Sequence, residues 1–92
     1  MDEYAKSERD YTRAIELDPE LAQAYVGRGM LYKDIGEYDK AEQDYTRAIE
    51  LNAQYPLAYN NRGYLYYVME DHTKAEQDLT RAIELDSEFV LA

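Results

Sequence analysis

Apolar and small residues recur along this chain at steps of three and four, the spacing of one helix face. Tyr11, Ala14 and Ile15 form one such set, and Tyr45, Ala48, Ile49 and Leu79, Ala82, Ile83 repeat it. A second kind of segment alternates with the first. Tyr25, Gly29, Tyr32 and Ile35 share a face there, mirrored by Tyr59, Gly63, Tyr66 and Met69. No strand-type alternation competes. The pattern predicts helices over 3–17, 20–35, 38–51, 55–69 and 73–85, with a sixth starting near Ser87. Gly36-Glu37 reads as a helix stop and restart. Glu70 stands in the place of Gly36 and must make the same turn without glycine's free access to positive φ. Asp18-Pro19 reads as a cap followed by Pro where a helix begins, and Tyr55-Pro56 does similar work in the next unit.

The alternation has a fixed period. The hexapeptide Thr-Arg-Ala-Ile-Glu-Leu begins at Thr12, Thr46 and Thr80, 34 residues apart each time. Residues 22–55 align with 56–89 without a gap at 17 identities in 34 positions, too many for chance in so short a chain. The chain therefore divides into a half repeat (1–21, second helix only), two whole repeats (22–55 and 56–89) and the start of another (90–92), within one domain spanning 1–92. Stacked units of this kind borrow apolar surface from their neighbours, which is how a 92-residue chain can bury enough of it.

Gly29 and Gly63 sit mid-helix, where glycine costs about 1 kcal/mol relative to alanine. The same misfit in both units implies a packing reason. Ala41, Ala48, Ala75 and Ala82 are also small and lie on the facing helices, so small residues opposed to large rings allow close antiparallel packing.

Composition narrows the function. The net charge is −10, which repels phosphate backbones and makes nucleic acid an unsuitable partner, while neutral or basic peptides are favoured. There are eleven tyrosines against one Phe and no Trp. Tyr offers a large apolar face and a hydroxyl, which suits repeat interfaces and half-open grooves. The absence of cysteine excludes disulfides, thiol nucleophiles and cysteine-based zinc sites. No apolar run approaches the roughly 18 residues of a membrane span, and Met1-Asp2-Glu3-Tyr4 does not open like a secretory signal. The simplest compartment is the cytoplasm.

Catalytic chemistry is not legible. The lone His72 replaces Tyr38 of the preceding unit near a turn and reads as an exposed loop residue. Asp2-Glu3 and Asp86-Ser87-Glu88 lack the alternating oxygen ligands of a calcium loop. Glu42/Glu76 and Asp44/Asp78 recur at the same repeat positions, which marks scaffold use, since an active site would appear once. No phosphate-cradling glycine loop and no nucleophile–base pair can be read. The expectation is a non-enzymatic protein that needs no cofactor or metal.

At this point the chain resembles the tetratricopeptide repeat family, whose unit is a 34-residue helix–turn–helix. The family's aromatic, Gly, Tyr, Ala, aromatic and Ala slots hold Tyr25, Gly29, Tyr32, Ala41, Tyr45 and Ala48 in one unit. In the next they hold Tyr59, Gly63, Tyr66, Ala75, Leu79 and Ala82. The leading half unit supplies Ser7, Tyr11, Ala14 and Pro19. The resemblance implies an all-α fold, a right-handed superhelical stack of antiparallel hairpins. Three positions depart from the family pattern. Arg28 and Arg62 stand where Leu is usual, and each is expected to pair with an acid on the preceding helix, such as Asp10 or Asp44. The Pro slot holds Pro19, then Ala53 and Ser87. Gly36 gives way to Glu70.

The resemblance also implies a site. In the family the first helix of each hairpin lines a concave face along which extended peptides lie. Carried over, the groove residues are Gln23, Val26, Met30 and Lys33, with Gly27 and Asp34 beside them, and Leu57, Asn60, Asn61, Tyr64 and Tyr67, with Val68. Helical spacing independently groups Val26, Met30 and Lys33 in one stripe and Asn60, Tyr64 and Tyr67 in another. Tyr64 and Tyr67 can stack on apolar side chains, and Asn60 and Asn61 can bond a peptide backbone. One subtype clamps the C-terminal carboxylate of chaperone tails and would require Lys at 26 and Asn at 30. This chain has Val26 and Met30, and only Asn61 matches, so carboxylate clamping is not expected.

Both terminal helices keep the inner apolar pattern, Leu79, Ala82 and Ile83 at one end and Tyr4, Tyr11 and Ile15 at the other, with no switch to a polar face. Two functions follow. The chain is a scaffold that binds an extended peptide of a partner protein, or a self-assembling unit whose uncapped terminal helices stack into homo-oligomers. In either case specificity lies in positions that fail to repeat: Val26 against Asn60, Met30 against Tyr64, Lys33 against Tyr67.

Overall fold

A computed structural model describes the backbone of residues 2–91 and the side-chain surroundings of residues 3–86. It holds five helices: α1 (Asp2–Leu17), α2 (Ala22–Asp34), α3 (Tyr38–Leu51), α4 (Pro56–Val68) and α5 (His72–Leu91). The chain folds as stacked antiparallel hairpins, α2 with α3 and α4 with α5, and α1 lies against α2 as the outer helix of the half repeat. This is the all-α solenoid that the repeat implied, extending 41 × 30 × 18 Å.

The turns differ in detail from the sequence reading. Pro19 does not open a helix. The Asp18 carboxylate accepts from the Glu20 amide at 3.2 Å, making a small turn, and α2 begins only at Ala22. Pro56 does occupy the first turn of α4, where its missing N–H leaves no helix bond unmade. No sixth helix starts at Ser87. Helix α5 runs on to Leu91 through Ser87, whereas α1 ends at Leu17 before Pro19 and α3 ends at Leu51 before Ala53 in the same slot. Both hairpin turns close alike. Glu37 N donates to Tyr32 O at 2.8 Å and Asp71 N to Tyr66 O at 2.9 Å, the six-to-one bond of a left-handed helix stop. Gly36 takes φ 84°, and Glu70 takes φ 66°, so the glutamate adopts the left-handed conformation that the turn requires.

The core runs between hairpins as much as within them. Tyr45 and Leu65 are the largest fully buried side chains, and Val26, Tyr32, Ala41, Ala48 and Ala58 join them in one cluster. Full burial of a leucine contributes about 1.5–3 kcal/mol. Gly29 exists for the Tyr45 ring: a Cβ there would sit 2.7 Å from its Cε1. Gly63 stands likewise against Leu79, with a Cβ 2.8 Å from Cγ. The remaining packing positions are placed to match. Ala75 and Ala82 are buried, and Tyr25, Tyr59 and Leu79 are half-buried.

Candidate functional site

The inner helices α2 and α4 approach one another directly, whereas the outer helices α1, α3 and α5 do not meet. Rods that touch along one side and splay along the other make a curved stack, and the inner side is its concave face. Outer helices are apolar on one stripe only. Inner helices wedge between two outer ones, so apolar residues surround them on most sides.

What holds each inner helix is a polar bracket repeated every 34 residues. Arg28 meets Asp44 of α3 with two parallel bonds, Nε to Oδ2 at 2.8 Å and Nη2 to Oδ1 at 2.8 Å. Its Nη1 donates to Thr12 Oγ1 of α1 at 3.3 Å. Arg62 repeats this with Asp78, at 2.7 and 2.9 Å, and with Thr46 at 3.2 Å. The acid thus comes from the following outer helix, and the preceding one gives a threonine. Asp10, on the preceding helix, is not the partner; it is exposed. Bidentate geometry with a buried carboxylate keeps both guanidiniums charged, raising their pKa values above the ordinary one. One turn on, the Tyr32 hydroxyl donates to Glu8 and the Tyr66 hydroxyl to Glu42, both at 2.7 Å. Burial first, then the bond to Glu8, pushes the Tyr32 phenol up to about 12. Tyr66 moves in the same direction for the same causes, with Glu42 as acceptor.

On this frame the expected groove residues separate into three groups. Met30, Leu57, Tyr64 and Tyr67 are 48%, 48%, 53% and 59% exposed, large apolar side chains presented to solvent from the inner helices. Gln23, Asp34 and Val68 are exposed beside them. Lys33, Asn60 and Asn61 are half-buried. The Asn61 Nδ2 is buried and has no hydrogen-bond partner among the described residues.

Val26 belongs to neither the exposed nor the half-buried group but to the third, which is closed off. It is 3% exposed and sits in the core cluster with Ala58 and Leu65 of α4, because the next repeat's inner helix covers it. Gly27 is closed off as well, since its side-chain space is filled by the Tyr11 ring of α1. His72, which reads in sequence as an unremarkable loop residue, is the first residue of α5 and stands edge-on to the Tyr67 ring, centroids 5.3 Å apart. Its one signal in the sequence was replacement of the tyrosine found at that position in the preceding unit. Among the described residues no group of three or more His, Asp or Glu is placed to hold a metal ion, and no helix is long and apolar enough to cross a membrane.

Comparison with curated protein sequences gives no match. Among solved structures, MamA superposes with a TM-score of 0.93 at 27% identity over 99% of this chain. This chain spans 53% of MamA, about half of it. The second TPR of Spaghetti (RPAP3), bound to the HSP90 peptide SRMEEVD, superposes with a TM-score of 0.84 at 33% identity. That likeness covers 89% of this chain and 76% of the other. The TPR domain of Arabidopsis OM64 gives 0.88 at 26% identity, covering 95% and 72%. The sequence pattern described as the tetratricopeptide repeat matches residues 22–55 and again residues 56–89, the two whole units read from the period. Period, hairpin geometry and family pattern agree, and the chain belongs to the tetratricopeptide repeat family.

Proposed function

We propose that this chain is a non-enzymatic protein-interaction scaffold that holds an extended peptide segment across the inner face of α2 and α4. The observation that carries this reading is the stripe of Met30, Leu57, Tyr64 and Tyr67. Each is about half exposed or more, on helices whose other large residues are mostly buried. Apolar side chains held open on a rigid concave face are suited to receive apolar side chains of a partner. The half-buried Asn60 beside them offers an amide donor and acceptor to a peptide backbone. The Spaghetti domain, similar at 33% identity, has its HSP90 peptide bound, which supports the same class of ligand here.

The mode of capture differs from a carboxylate clamp. Position 26 holds a core valine and position 30 an exposed methionine, so apolar contact and amide bonding carry the affinity. The net charge of −10 favours neutral or basic segments. The test is a fluorescence-anisotropy screen of extended peptides against the wild type and against Tyr64→Ala and Tyr67→Ala. The variants should keep their helicity and lose about tenfold or more in affinity for any peptide that binds. Equal binding by all three proteins would count against the groove.

A further inference from the structure

Where tyrosine rings line the frame, the chain sets its own cations over them. Arg28 lies over the Tyr25 and Tyr32 rings, 5.8 Å from each centroid. Arg62 repeats this over Tyr59 and Tyr66, at 5.8 and 5.7 Å. Lys40 adds a second cation to Tyr32 at 5.5 Å, and Lys74 one to Tyr66 at 5.4 Å. A cation within about 6 Å of a ring centroid is attracted by the ring quadrupole. Tyr64 and Tyr67, 53% and 59% exposed on the inner face, have no such partner among the described residues.

The two open rings are not equivalent. Tyr64 stands where the preceding repeat has Met30. Met30 stays 48% exposed although α4 follows it, so openness at this place belongs to the inner face itself. Asn60, Asn61 and Val68 lie within one helical turn of Tyr64, and none of them is charged. Tyr67 stands where the preceding repeat has Lys33, so a ring has taken the place of a cation. Apart from the two bracketed arginines, Lys33 is the one base on either inner helix. Tyr67 lies close to the hairpin turn, restrained by the His72 ring at 5.3 Å and 77°. The Glu70 amide donates to Tyr67 O at 3.0 Å, and the Glu70 side chain is exposed. Glu70, and Asp34 at the corresponding end of α2, enter no ion pair among the described residues. Lys74, the nearest base along the chain, is turned to Asp71 at 3.9 Å.

We propose that the Tyr67 ring, restrained by His72 and followed by the Glu70 carboxylate, seats a basic side chain of the extended segment, while Met30 and Tyr64 receive its apolar ones. This rests on the groove of α2 and α4 proposed above and adds the chemistry of one position in the bound segment. Charge selects the occupant. A purely apolar side chain would use the ring and leave the carboxylates of Glu70 and Asp34 unengaged. An acidic one would approach a chain that already carries a net charge of −10. A basic side chain uses ring and carboxylates together. It also repeats on the inner face the cation–tyrosine contact that the frame makes through Arg28, Lys40, Arg62 and Lys74. The exchange of Lys33 for Tyr67 withdraws the chain's own cation from this place, so the ligand supplies it.

The test titrates the full chain, followed by amide shifts, with three pools of blocked hexapeptides. Each pool has Leu, Ile or Phe at the first and third positions and Ser at the even ones, because alternate side chains of an extended segment share a face. The fifth position is Arg, its neutral isostere citrulline, or Leu. The Arg pool should bind about two- to fivefold tighter than the citrulline pool, the contribution of an exposed cation–ring contact. Its shifts should include Tyr67, Glu70 and His72, and the preference should shrink as salt rises from about 50 to about 500 mM. Tyr67→Phe should keep the preference and Tyr67→Leu should abolish it, both with unchanged helicity. Tyr64→Leu should weaken all three pools and leave their ratio as it was. Equal binding of the Arg and citrulline pools overturns the cation seat and leaves the groove standing. An Arg preference that survives Tyr67→Leu overturns it too. No saturable shift from any pool at up to about 5 mM overturns both seat and groove.

Discussion

Arg28 and Asp44 face each other with two parallel bonds of 2.8 Å each, and the carboxylate side chain is only 7% exposed. A leucine at position 28, the family's usual residue, would leave that carboxylate buried without a partner. The pair is therefore a unit, and its two halves should not be separable by mutation. Asp44→Ala is expected to cost about 3 kcal/mol in urea denaturation, because it leaves a part-buried guanidinium with Thr12 as its one remaining hydrogen-bond partner and no counter-charge. The double substitution Arg28→Leu with Asp44→Leu should cost much less than the sum of the two single changes. Additive effects would show that the pair is not coupled.

Gly29 is predicted to tolerate nothing larger. With a Cβ already 2.7 Å from the Tyr45 ring, Gly29→Leu must displace a fully buried aromatic. The expected loss is several kcal/mol, above the ~1–3 typical of overpacking, despite the better helix propensity of leucine. A melting temperature unchanged from wild type would remove the packing argument.

Val26 and Met30 lie four residues apart on α2 and should behave in opposite ways. Val26→Ala removes core volume and should cost about 2 kcal/mol of stability. Met30→Ala should leave stability within about 0.5 kcal/mol and act on peptide affinity. Matched denaturation and binding curves of the two variants decide this.

Stability should fall in alkali within a definite window. Burial raises the Tyr45 phenol from 10.0 to about 12, and Tyr32 moves to about 12 as well. Below pH 10 the phenols are protonated in folded and unfolded chains alike, and the contribution is complete. Above it the unfolded chain releases protons that the folded one retains, so stability declines until about pH 12. Urea midpoints measured on either side of pH 10 should drop in wild type and drop less in Tyr45→Phe.

Glu70 turns the second hairpin at φ 66° without glycine's freedom, whereas Gly36 turns the first at φ 84° with nothing within 4 Å of its missing Cβ. Glu70→Gly should therefore stabilise the chain by roughly 0.5–1 kcal/mol, the left-handed penalty less the added freedom of the unfolded chain. A lower urea midpoint in the variant would mean that the Glu70 side chain contributes something its backbone does not reveal.

The fold was legible because the chain states each structural instruction more than once. A hexapeptide at a constant interval, two mid-helix glycines at the same slot and two Gly-or-Glu turns leave little choice of architecture. The groove was less legible, for a reason visible at Val26. Helical spacing puts it in one stripe with Met30 and Lys33, but whether a stripe is open depends on how far the next hairpin overlaps it. That overlap is a property of two helices 34 residues apart. The bracket was half legible. Arg28 and Arg62 beside a packing face demanded acids, but the expectation put them on the preceding helix, such as Asp10 or Asp44, whereas the acids come from the following helix, Asp44 for Arg28 and Asp78 for Arg62, and the preceding one gives a threonine. The end of α5 was misread because the slot residue does not decide where the helix stops: α3 ends at Leu51 with Ala53 in the slot, and α5 runs on to Leu91 with Ser87 in it.

Helix α3 grips both inner helices at once: its Asp44 holds Arg28 of α2, while its Thr46 and Glu42 hold Arg62 and Tyr66 of α4. The interval between Met30 and Tyr64 is consequently ruled off by a helix on the other side of the stack. A peptide held in the groove proposed above would have to bring its side chains at that gauge. Exposed residues could then change singly without altering the distance between the two positions, whereas changing that distance would require rewriting three helices together.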